Sequence, residues 1–216
     1  MNYELARHHM IQQQLRTCER MSLETVALLY ADRREHYVPA ACRAMAFADS
    51  EIPLGRGATM FTPKLETRIL EMCALKHGDR VLEIGAGSGH LASLLAEVVD
   101  HVWTVEIDPT LAEMARCNLD ADRVVNVSVE VGDGLAGLAE RAPFDVIVVS
   151  GGVTEIPAVL KAQLAEGGRL IAIVGSGPAM RLQRLTRMGS EHLVTEDLME
   201  TSVAMLQQSA KAAFSF

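Results

Sequence analysis

The chain has 216 residues, of which 49% are hydrophobic and 22% charged, and its formal net charge is −8. This length and composition are ordinary for one folded domain with appended elements, large enough to bury a core without disulfide or metal staples. The negative charge argues against nucleic acid as a partner, because binding to phosphates requires clustered lysine and arginine.

Cysteine usage and hydropathy indicate the compartment. Cys18, Cys42, Cys73 and Cys117 form neither a CxxC motif nor a Cys/His pattern with zinc spacing, so we expect reduced thiols and no metal site. The amino-terminal MNYELARHHMIQQQLR lacks the apolar region of a signal peptide, and no stretch approaches the roughly 20 apolar residues that span a bilayer. We therefore expect a cytoplasmic protein with no membrane partner.

The first 66 residues divide into a helical part and a loop. Residues 1–50 carry two apolar groups at helical spacing. These groups are Met10, Ile11 and Leu15, and then Leu23, Val26, Ala27 and Tyr30. Residues 51–66, EIPLGRGATMFTPKLE, are rich in Gly, Pro and Thr and predict a loop. We assign residues 1–66 to the same domain as the core, which we take as residues 67–216.

From about residue 69 onwards, short apolar runs alternate with helical periodicity. The runs that predict strands are VLEIG (81–85), HVWTVEI (101–107), VSVEVGD (127–133), FDVIVVSG (144–151) and GRLIAIVG (168–175). Helices are predicted between most of them, as at 90–99 and 156–165, and Asp108-Pro109 is typical of a helix start. Such strands, joined by helical crossovers, form parallel sheets that are covered on both faces. The sequence thus predicts a doubly wound, Rossmann-like α/β fold with a mostly parallel sheet and an amino-terminal helical extension.

Two expectations concern the carboxyl-terminal part of the chain. Arg181, Arg184 and Arg187 stand at helical spacing and are interpreted as a solvated helix face. The text after Met188, HLVTEDLMETSVAML, is expected to add two strands, the last of them antiparallel at a sheet edge.

The first strand runs into a glycine bend, Gly85-Ala86-Gly87-Ser88-Gly89, which predicts a ligand site at the carboxyl edge of the sheet. Dinucleotide sites use G-x-G-x-x-G and place a pyrophosphate on the following helix. Here the spacing is G-x-G-x-G, and Glu83 precedes the first glycine by two residues. A carboxylate at that point repels a pyrophosphate but suits a cationic ligand that carries an ammonium and a sulfonium. We expect Glu83, Gly85, Ala86 and Gly87 to bind such a cofactor.

Further candidate cofactor residues follow the later strands. Glu106, with Ile107 beside it, ends the second strand, where an acid accepts both hydroxyls of a ribose. Asp133 is placed to accept a hydrogen bond from an adenine amino group, and the neighbouring Gly134 adds no side chain to the wall of the site. Ser150 ends the fourth strand beside the expected methyl site and is a candidate contact. This order of acids favours S-adenosylmethionine over NAD(P), which remains the alternative cofactor.

On these residues the chain resembles the protein-L-isoaspartate O-methyltransferase family over nearly its whole length. The matching segments are QQQLR, REHYVP, EIPLGRGATMFTP, VLEIGAGSGHLASLLA, VGDG and RAPFDVIVVSGGVTEIPAVLKAQLAEGGRLIAIVG. The resemblance implies methyl transfer from S-adenosylmethionine to the free carboxylate of an isoaspartyl residue in a damaged protein. A carboxylate is already ionised at pH 7, so this reaction requires no general base.

The chain departs from the family where the methyl acceptor is expected to bind. The resemblance implies that the loop supplies a hydroxyl near the acceptor, and Thr59 matches the family's threonine. Phe61 stands at the family's serine, which leaves the neighbouring Thr62 as the substitute hydroxyl. Thr59 and Thr62 are therefore the candidate catalytic residues. Lys64 and Glu66 replace His-type residues, and SVAML (202–206) replaces an aromatic/Val-Pro-Leu strand.

These departures keep other functions open. One is a methyltransferase of the same architecture that acts on a different acceptor, such as a small molecule. Another is a non-catalytic module that binds S-adenosylmethionine, and a third is an NAD(P)-dependent reductase. His90, directly after the glycine bend, is interpreted as the start of a helix. The sequence leaves the oligomeric state open.

Overall fold

The structure is a computed structural model that describes residues 2–18, 20–189 and 192–208. Its strands are β1 (Ile52–Gly55), β2 (Ala58–Met60), β3 (Arg80–Ile84), β4 (His101–Glu106), β5 (Val127–Val131), β6 (Phe144–Val153), β7 (Leu164–Ser176), β8 (Ala179–Arg187) and β9 (Leu193–Thr201). Its α-helices are α1 (Tyr3–His9), α2 (Arg16–Cys18), α3 (Leu23–Ala31), α4 (Pro63–Cys73), α5 (His90–Ala96), α6 (Pro109–Ala121) and α7 (Ala158–Ala162).

The central sheet has the strand order β5-β4-β3-β6-β7-β8-β9. The strands from β5 to β7 run parallel, and β3 pairs with β4 on one side and β6 on the other. Chain order therefore reverses between β3 and β6, which is the topological switch point where ligands bind in such sheets. The prediction of a doubly wound, mostly parallel α/β fold is confirmed.

Alternate residues of the strands enter two hydrophobic cores, one on each face of the sheet. Val81 lies in one core, and its neighbour Leu82 lies in the other. Both are fully buried. Burial on both faces explains why these strands are almost entirely apolar in sequence.

The prediction of a helix at Arg181, Arg184 and Arg187 is wrong, because these residues lie on β8. Leu182 and Leu185 are three residues apart, yet they are buried in different cores on opposite faces of the sheet. Residues three positions apart on a strand lie on opposite faces, so the spacing of the three arginines does not mark one helix face.

The arginines of β8 make cross-strand ion pairs with β9. Arg181 lies 2.6 Å from Asp197, and Arg184 lies 2.7 Å from Glu196. The end of the sheet is an antiparallel meander of β7, β8 and β9. Only one strand, β9, follows Met188 in the described part of the chain, where two were expected.

The segment predicted as a loop, residues 51–66, forms instead the antiparallel hairpin β1–β2 and the first turn of α4. The hairpin turns at Gly55, Arg56 and Gly57, all with positive φ. Arg56 is the non-glycine residue of that turn, at φ 58°.

The amino-terminal helices pack beneath this hairpin. Met10, Ile11 and Leu15 are buried as predicted, although the backbone there is π-helical over Met10–Leu15. The second predicted face is wrong, because α3 buries Leu29 and leaves Leu23 82% exposed.

Asp108 caps α6 as predicted, because its side chain accepts hydrogen bonds from the backbone N–H groups of Thr110 and Leu111. In the ranges that the structure describes, no helix is both long and apolar enough to cross a membrane.

Arg169 on β7 ties the sheet to the end of α4. Its guanidinium donates to the carbonyls of Cys73 and Ala74, each at 2.7 Å, and lies 2.6 Å from the Asp79 carboxylate. Cys73 and Asp79 are buried, whereas Ala74 is exposed, so removing the guanidinium would leave two buried acceptors without this donor.

We expect Arg169→Met to lower the free energy of unfolding by about 2–4 kcal/mol, because buried polar groups lose their partner. The control, Arg184→Met, removes an ion pair at the more exposed meander and should cost less than about 1 kcal/mol. Urea unfolding followed by circular dichroism measures both. Equal losses in the two variants would contradict this assignment.

Candidate functional site

A cavity lies at the carboxyl edge of the sheet, above the switch point between β3 and β6. It encloses about 890 Å³ of space, part of it open to solvent. The walls come from the glycine bend after β3, the hairpin β1–β2 and the carboxyl-terminal segment, residues 204–207. Of the predicted site residues, those that line the cavity are Thr59, Gly85, Ala86, Gly87, Glu106, Ile107, Asp133, Gly134 and Ser150.

The glycine bend forms the floor of the cavity. Gly85 has φ 94°, and a Cβ there would lie 3.0 Å from the Leu206 side chain and 3.3 Å from the Ser150 carbonyl. A larger residue would thus be strained and would crowd this floor.

Glu106 reaches the cavity from the end of β4. Its Oε2 accepts from the backbone N–H of Gly87 at 2.9 Å, and its Oε1 accepts from that of Asp108 at 3.1 Å. The two backbone donors fix the direction of the carboxylate, which keeps lone pairs available to a ligand.

Asp133 and Gly134 form the wall beyond β5. Asp133 Oδ1 accepts from the backbone N–H of Leu135 at 3.0 Å. A Cβ at Gly134 would come within 2.6 Å of the Ile84 side chain, so this wall has no room for a larger residue. An acid beside a wall without side-chain bulk is suited to a planar base that carries an amino group.

Glu83 lies one layer below the cavity, which corrects the expectation that it faces the ligand directly. It is 1% exposed and does not line the cavity. Its carboxylate accepts from Thr104 Oγ1 at 2.7 Å and from Ser150 Oγ at 3.0 Å. Ser150 does line the cavity, so the acid reaches that space through the serine hydroxyl.

The burial of Glu83 changes its protonation. Burial raises the pKa of Glu83 to about 8, although hydrogen bonds from Thr104 and Ser150 oppose the shift, and the charges of Glu106 and Glu66 add to it. A cation in the cavity would favour the ionised form of Glu83 and lower this pKa again.

The acceptor-side threonines occupy different places. Thr59 lines the cavity and donates to Glu51 Oε2 at 3.0 Å. Thr62 does not line it: its hydroxyl accepts from the backbone N–H of Leu65 at 3.2 Å and caps α4. The helix start therefore uses the hydroxyl that we expected to replace the family's serine. Phe61 borders the cavity, but it is only 6% exposed and packs into the core.

A group that the sequence analysis missed adjoins this wall. His90 begins α5 as expected, but it is 2% exposed and bridges two carboxylates, Glu66 at 3.0 Å and Asp32 at 3.1 Å. Burial alone would lower the pKa of His90, but the two carboxylates outweigh it and raise the pKa to about 9. The partner Asp32 lies 58 positions from His90 in the chain, and neither periodicity nor local spacing connects the two.

The carboxyl-terminal segment lines the cavity beside β6. Ala204 and Leu206 exchange backbone hydrogen bonds with Gly152, each at 2.9 Å. Gln207 donates to the Arg56 carbonyl at 2.7 Å, and Arg56 in turn lies 2.9 Å from Asp108. The hairpin turn is thereby linked to both α6 and the end of the described chain.

The residues present fit S-adenosylmethionine. The glycine floor admits a close backbone approach, and Glu106 and Asp133 offer acceptors to hydroxyl and amino groups. Glu83 lies behind Ser150, where a bound cation would favour its ionised form. Within the described ranges, no cluster of His, Cys, Asp and Glu side chains could hold a metal ion.

Comparisons with known proteins give the family. The family model for protein-L-isoaspartate(D-aspartate) O-methyltransferase matches residues 6–210. A protein-L-isoaspartate O-methyltransferase from Methylorubrum populi is 42% identical over 83% of this chain and 84% of its own length. One from Methylorubrum extorquens is 38% identical over 96% of this chain and 91% of its own length.

Solved structures agree with the fold. A structure described as a protein-L-isoaspartate O-methyltransferase superposes with a TM-score of 0.81 at 26% identity, covering 94% of this chain and 65% of the other. A candidate protein-L-isoaspartate O-methyltransferase from Plasmodium falciparum, in complex with S-adenosyl-L-homocysteine, has a TM-score of 0.79 at 18% identity and covers 96% of this chain and 99% of its own.

These matches confirm the predicted family, its Rossmann-like fold and its class of S-adenosylmethionine-dependent methyltransferase. The region matched by the family model, residues 6–210, includes the hairpin, the glycine bend, Glu106 and Asp133. The chain belongs to the protein-L-isoaspartate O-methyltransferase family.

Proposed function

We propose that this protein transfers the methyl group of S-adenosylmethionine to the carboxylate of isoaspartyl residues in damaged proteins or peptides. The observation that carries the proposal is one cavity that joins an acidic cofactor side, at Glu106 and Asp133, to the hairpin side at Thr59. We further propose that it acts in the cytoplasm, without nucleic acid or a membrane as partner.

Each cofactor residue has a proposed role that follows from its position. Glu106 accepts from the ribose hydroxyls, and Asp133 accepts from the adenine amino group. Ile107 and Gly134 flank the adenine, and Ser150 lies toward the methyl site. Gly85, Ala86 and Gly87 supply backbone contacts along the floor.

Catalysis in this site consists mainly of positioning. S-adenosylmethionine supplies an electrophilic methyl group on a positively charged sulfur. The acceptor carboxylate is already ionised, so the protein only has to hold one oxygen in line with the methyl–sulfur bond. Thr59 lies on the hairpin side, where we propose that its hydroxyl orients the acceptor.

The placement of Glu83 suits a charge that disappears during the reaction. A carboxylate in direct contact would stabilise the ground-state sulfonium strongly and raise the barrier. Glu83 instead acts from one layer below, through Ser150 at 3.0 Å.

The direct test uses an isoaspartyl peptide and its aspartyl twin with labelled S-adenosylmethionine. We expect label in the isoaspartyl peptide alone, because the two differ only in where the carboxylate is held. Label should be lost on mild alkaline treatment, as for a methyl ester. Equal labelling, or none in either peptide, would overturn the isoaspartyl assignment.

A second candidate is a methyltransferase of the same cofactor with a different acceptor. Two observations favour it: Phe61 stands at the family's serine, and Thr62 is engaged in capping α4. The same assay separates the candidates, because absent peptide labelling together with tight S-adenosylmethionine binding would point to another acceptor.

We expect Glu106→Gln and Asp133→Asn each to weaken binding of S-adenosyl-L-homocysteine by about 1–3 kcal/mol, because a charge-assisted hydrogen bond is lost. Isothermal titration calorimetry measures this loss. Glu113→Gln, on the exposed side of α6, is the control and should bind like the parent protein. If both site variants also match the parent, the proposed ribose and adenine contacts are wrong.

We expect the affinity for S-adenosylmethionine to rise between pH 6.5 and 8.5, because Glu83, with its pKa raised to about 8, must ionise to meet the sulfonium. The neutral Glu83→Gln variant should lack this rise. S-adenosyl-L-homocysteine, whose sulfur is uncharged, is the control ligand and should respond less. Calorimetry measures the affinity for S-adenosylmethionine at both pH values. An identical pH response in the parent protein and the variant would contradict the role of Glu83.

A further inference from the structure

A buried arginine joins the amino-terminal segment to the wall of the cavity. Arg34 follows α3 and is 1% exposed. Its Nε donates to the Ala46 carbonyl at 2.7 Å, its Nη2 donates to the Phe61 carbonyl at 2.5 Å, and its Nη1 pairs with the Glu66 carboxylate. One guanidinium thus holds three chain segments: the turn at residue 46, the end of the hairpin and the first turn of α4.

The charges around Arg34 are balanced within the protein. Glu66 also contacts His90, and His90 contacts Asp32. Arg34 Nη1 also lies 3.2 Å from His90 Nδ1, so Arg34, Glu66, His90 and Asp32 form one buried network. A buried network of this kind is stable only while each charge keeps its partner, so its geometry is fixed closely.

Some of the groups around Arg34 line the cavity, but Arg34 itself does not. The lining groups are Phe61, Glu66 and His90. Arg34 can therefore influence a ligand only by fixing the groups that it holds. Those groups continue the wall that begins at Thr59, on the acceptor side.

The cofactor side is held by other means. The Glu106 carboxylate is directed by the backbone N–H groups of Gly87 and Asp108, and Asp133 accepts from the backbone N–H of Leu135. None of the contacts described for Arg34 includes these residues. Loss of Arg34 should then disturb the acceptor side more than the cofactor side.

We propose that Arg34 is a positioning residue for the methyl acceptor, fixing the backbone at Phe61 and the carboxylate of Glu66. This inference rests on the proposed function for the identity of the acceptor, but the wall that it concerns is defined by the structure alone. Through Arg34, a segment outside the sheet contributes to the placement of the acceptor.

The amino-terminal segment offers a matched control. Arg7 is also buried, and its Nη2 donates to both carboxylate oxygens of Glu35, at 2.9 and 3.0 Å. Neither residue lines the cavity. Arg7→Met therefore removes a comparable buried pair from the same segment without altering the wall.

The experiment compares Arg34→Met, Arg34→Lys and Arg7→Met in the full chain. For Arg34→Met we expect kcat/KM with the isoaspartyl peptide to fall about 100-fold, mainly through KM, because the acceptor is misplaced. The Kd for S-adenosyl-L-homocysteine should stay within about twofold of the parent value, because Arg34 shares no described hydrogen-bond partner with Glu106 or Asp133. Arg34→Lys should recover part of the loss, since lysine keeps the charge but not the planar fork. Arg7→Met should retain the parent KM.

A second measurement does not depend on the acceptor. Hydrogen exchange of the complex with S-adenosyl-L-homocysteine should show faster exchange at residues 58–66 in Arg34→Lys, and unchanged exchange at residues 133–135. This readout separates the two proposals, because it applies even if the parent protein leaves the isoaspartyl peptide unlabelled. Unchanged exchange at 58–66, a parallel loss of cofactor affinity, or an equal rise of KM in Arg7→Met would each overturn the role of Arg34.

Discussion

The parallel register of β3 between β4 and β6 determines most of the site. Glu83 lies opposite Thr104 on β4 and Val148 on β6, and Ser150 follows Val148 at the next position on the same face. Because side chains alternate along a strand, this register brings both hydroxyls onto the Glu83 carboxylate. The same pairing brings the carboxyl ends of β3 and β4 to one edge of the sheet. The glycine bend and Glu106 therefore lie side by side in the cavity. A slip of one residue would turn Glu83 into the opposite core.

The hairpin β1–β2 and the amino-terminal segment build another part of the cavity, and they are held by a shared hydrophobic core and by arginine contacts rather than by the register of the central sheet. Arg34 holds the end of the hairpin through Phe61, while Arg56 holds its turn against Asp108 at the start of α6. The two ends differ in burial: Arg34 is 1% exposed, whereas the side chain of Arg56 is 57% exposed. The pair at the turn is therefore screened by solvent and weaker, so the hairpin is held more firmly at its end than at its turn.

Sequence reasoning predicted the parts that depend on local pattern. Strand composition predicted the sheet, and glycine spacing with the positions of Glu106 and Asp133 predicted where the cavity lies and part of its lining. It did not predict how side chains would be used when the choice depends on distant partners. Thr62 was available to the acceptor by spacing, but α4 uses its hydroxyl as a cap. The spacing of Arg181, Arg184 and Arg187 suggested one helix face, but on β8 residues three positions apart lie on opposite faces of the sheet.

The link between Gln207 and Arg56 has a consequence for synthesis of the protein. Residues 204–207 form one wall of the cavity, yet they lie after every strand of the described sheet. During translation the parallel strands β3 to β7, which end at Ser176, can pair before this segment leaves the ribosome, whereas the cavity cannot close. A nascent chain would then hold a folded core with an open cofactor site, and binding competence would arrive last, after the carboxyl-terminal segment has crossed to Gly152 and the hairpin turn.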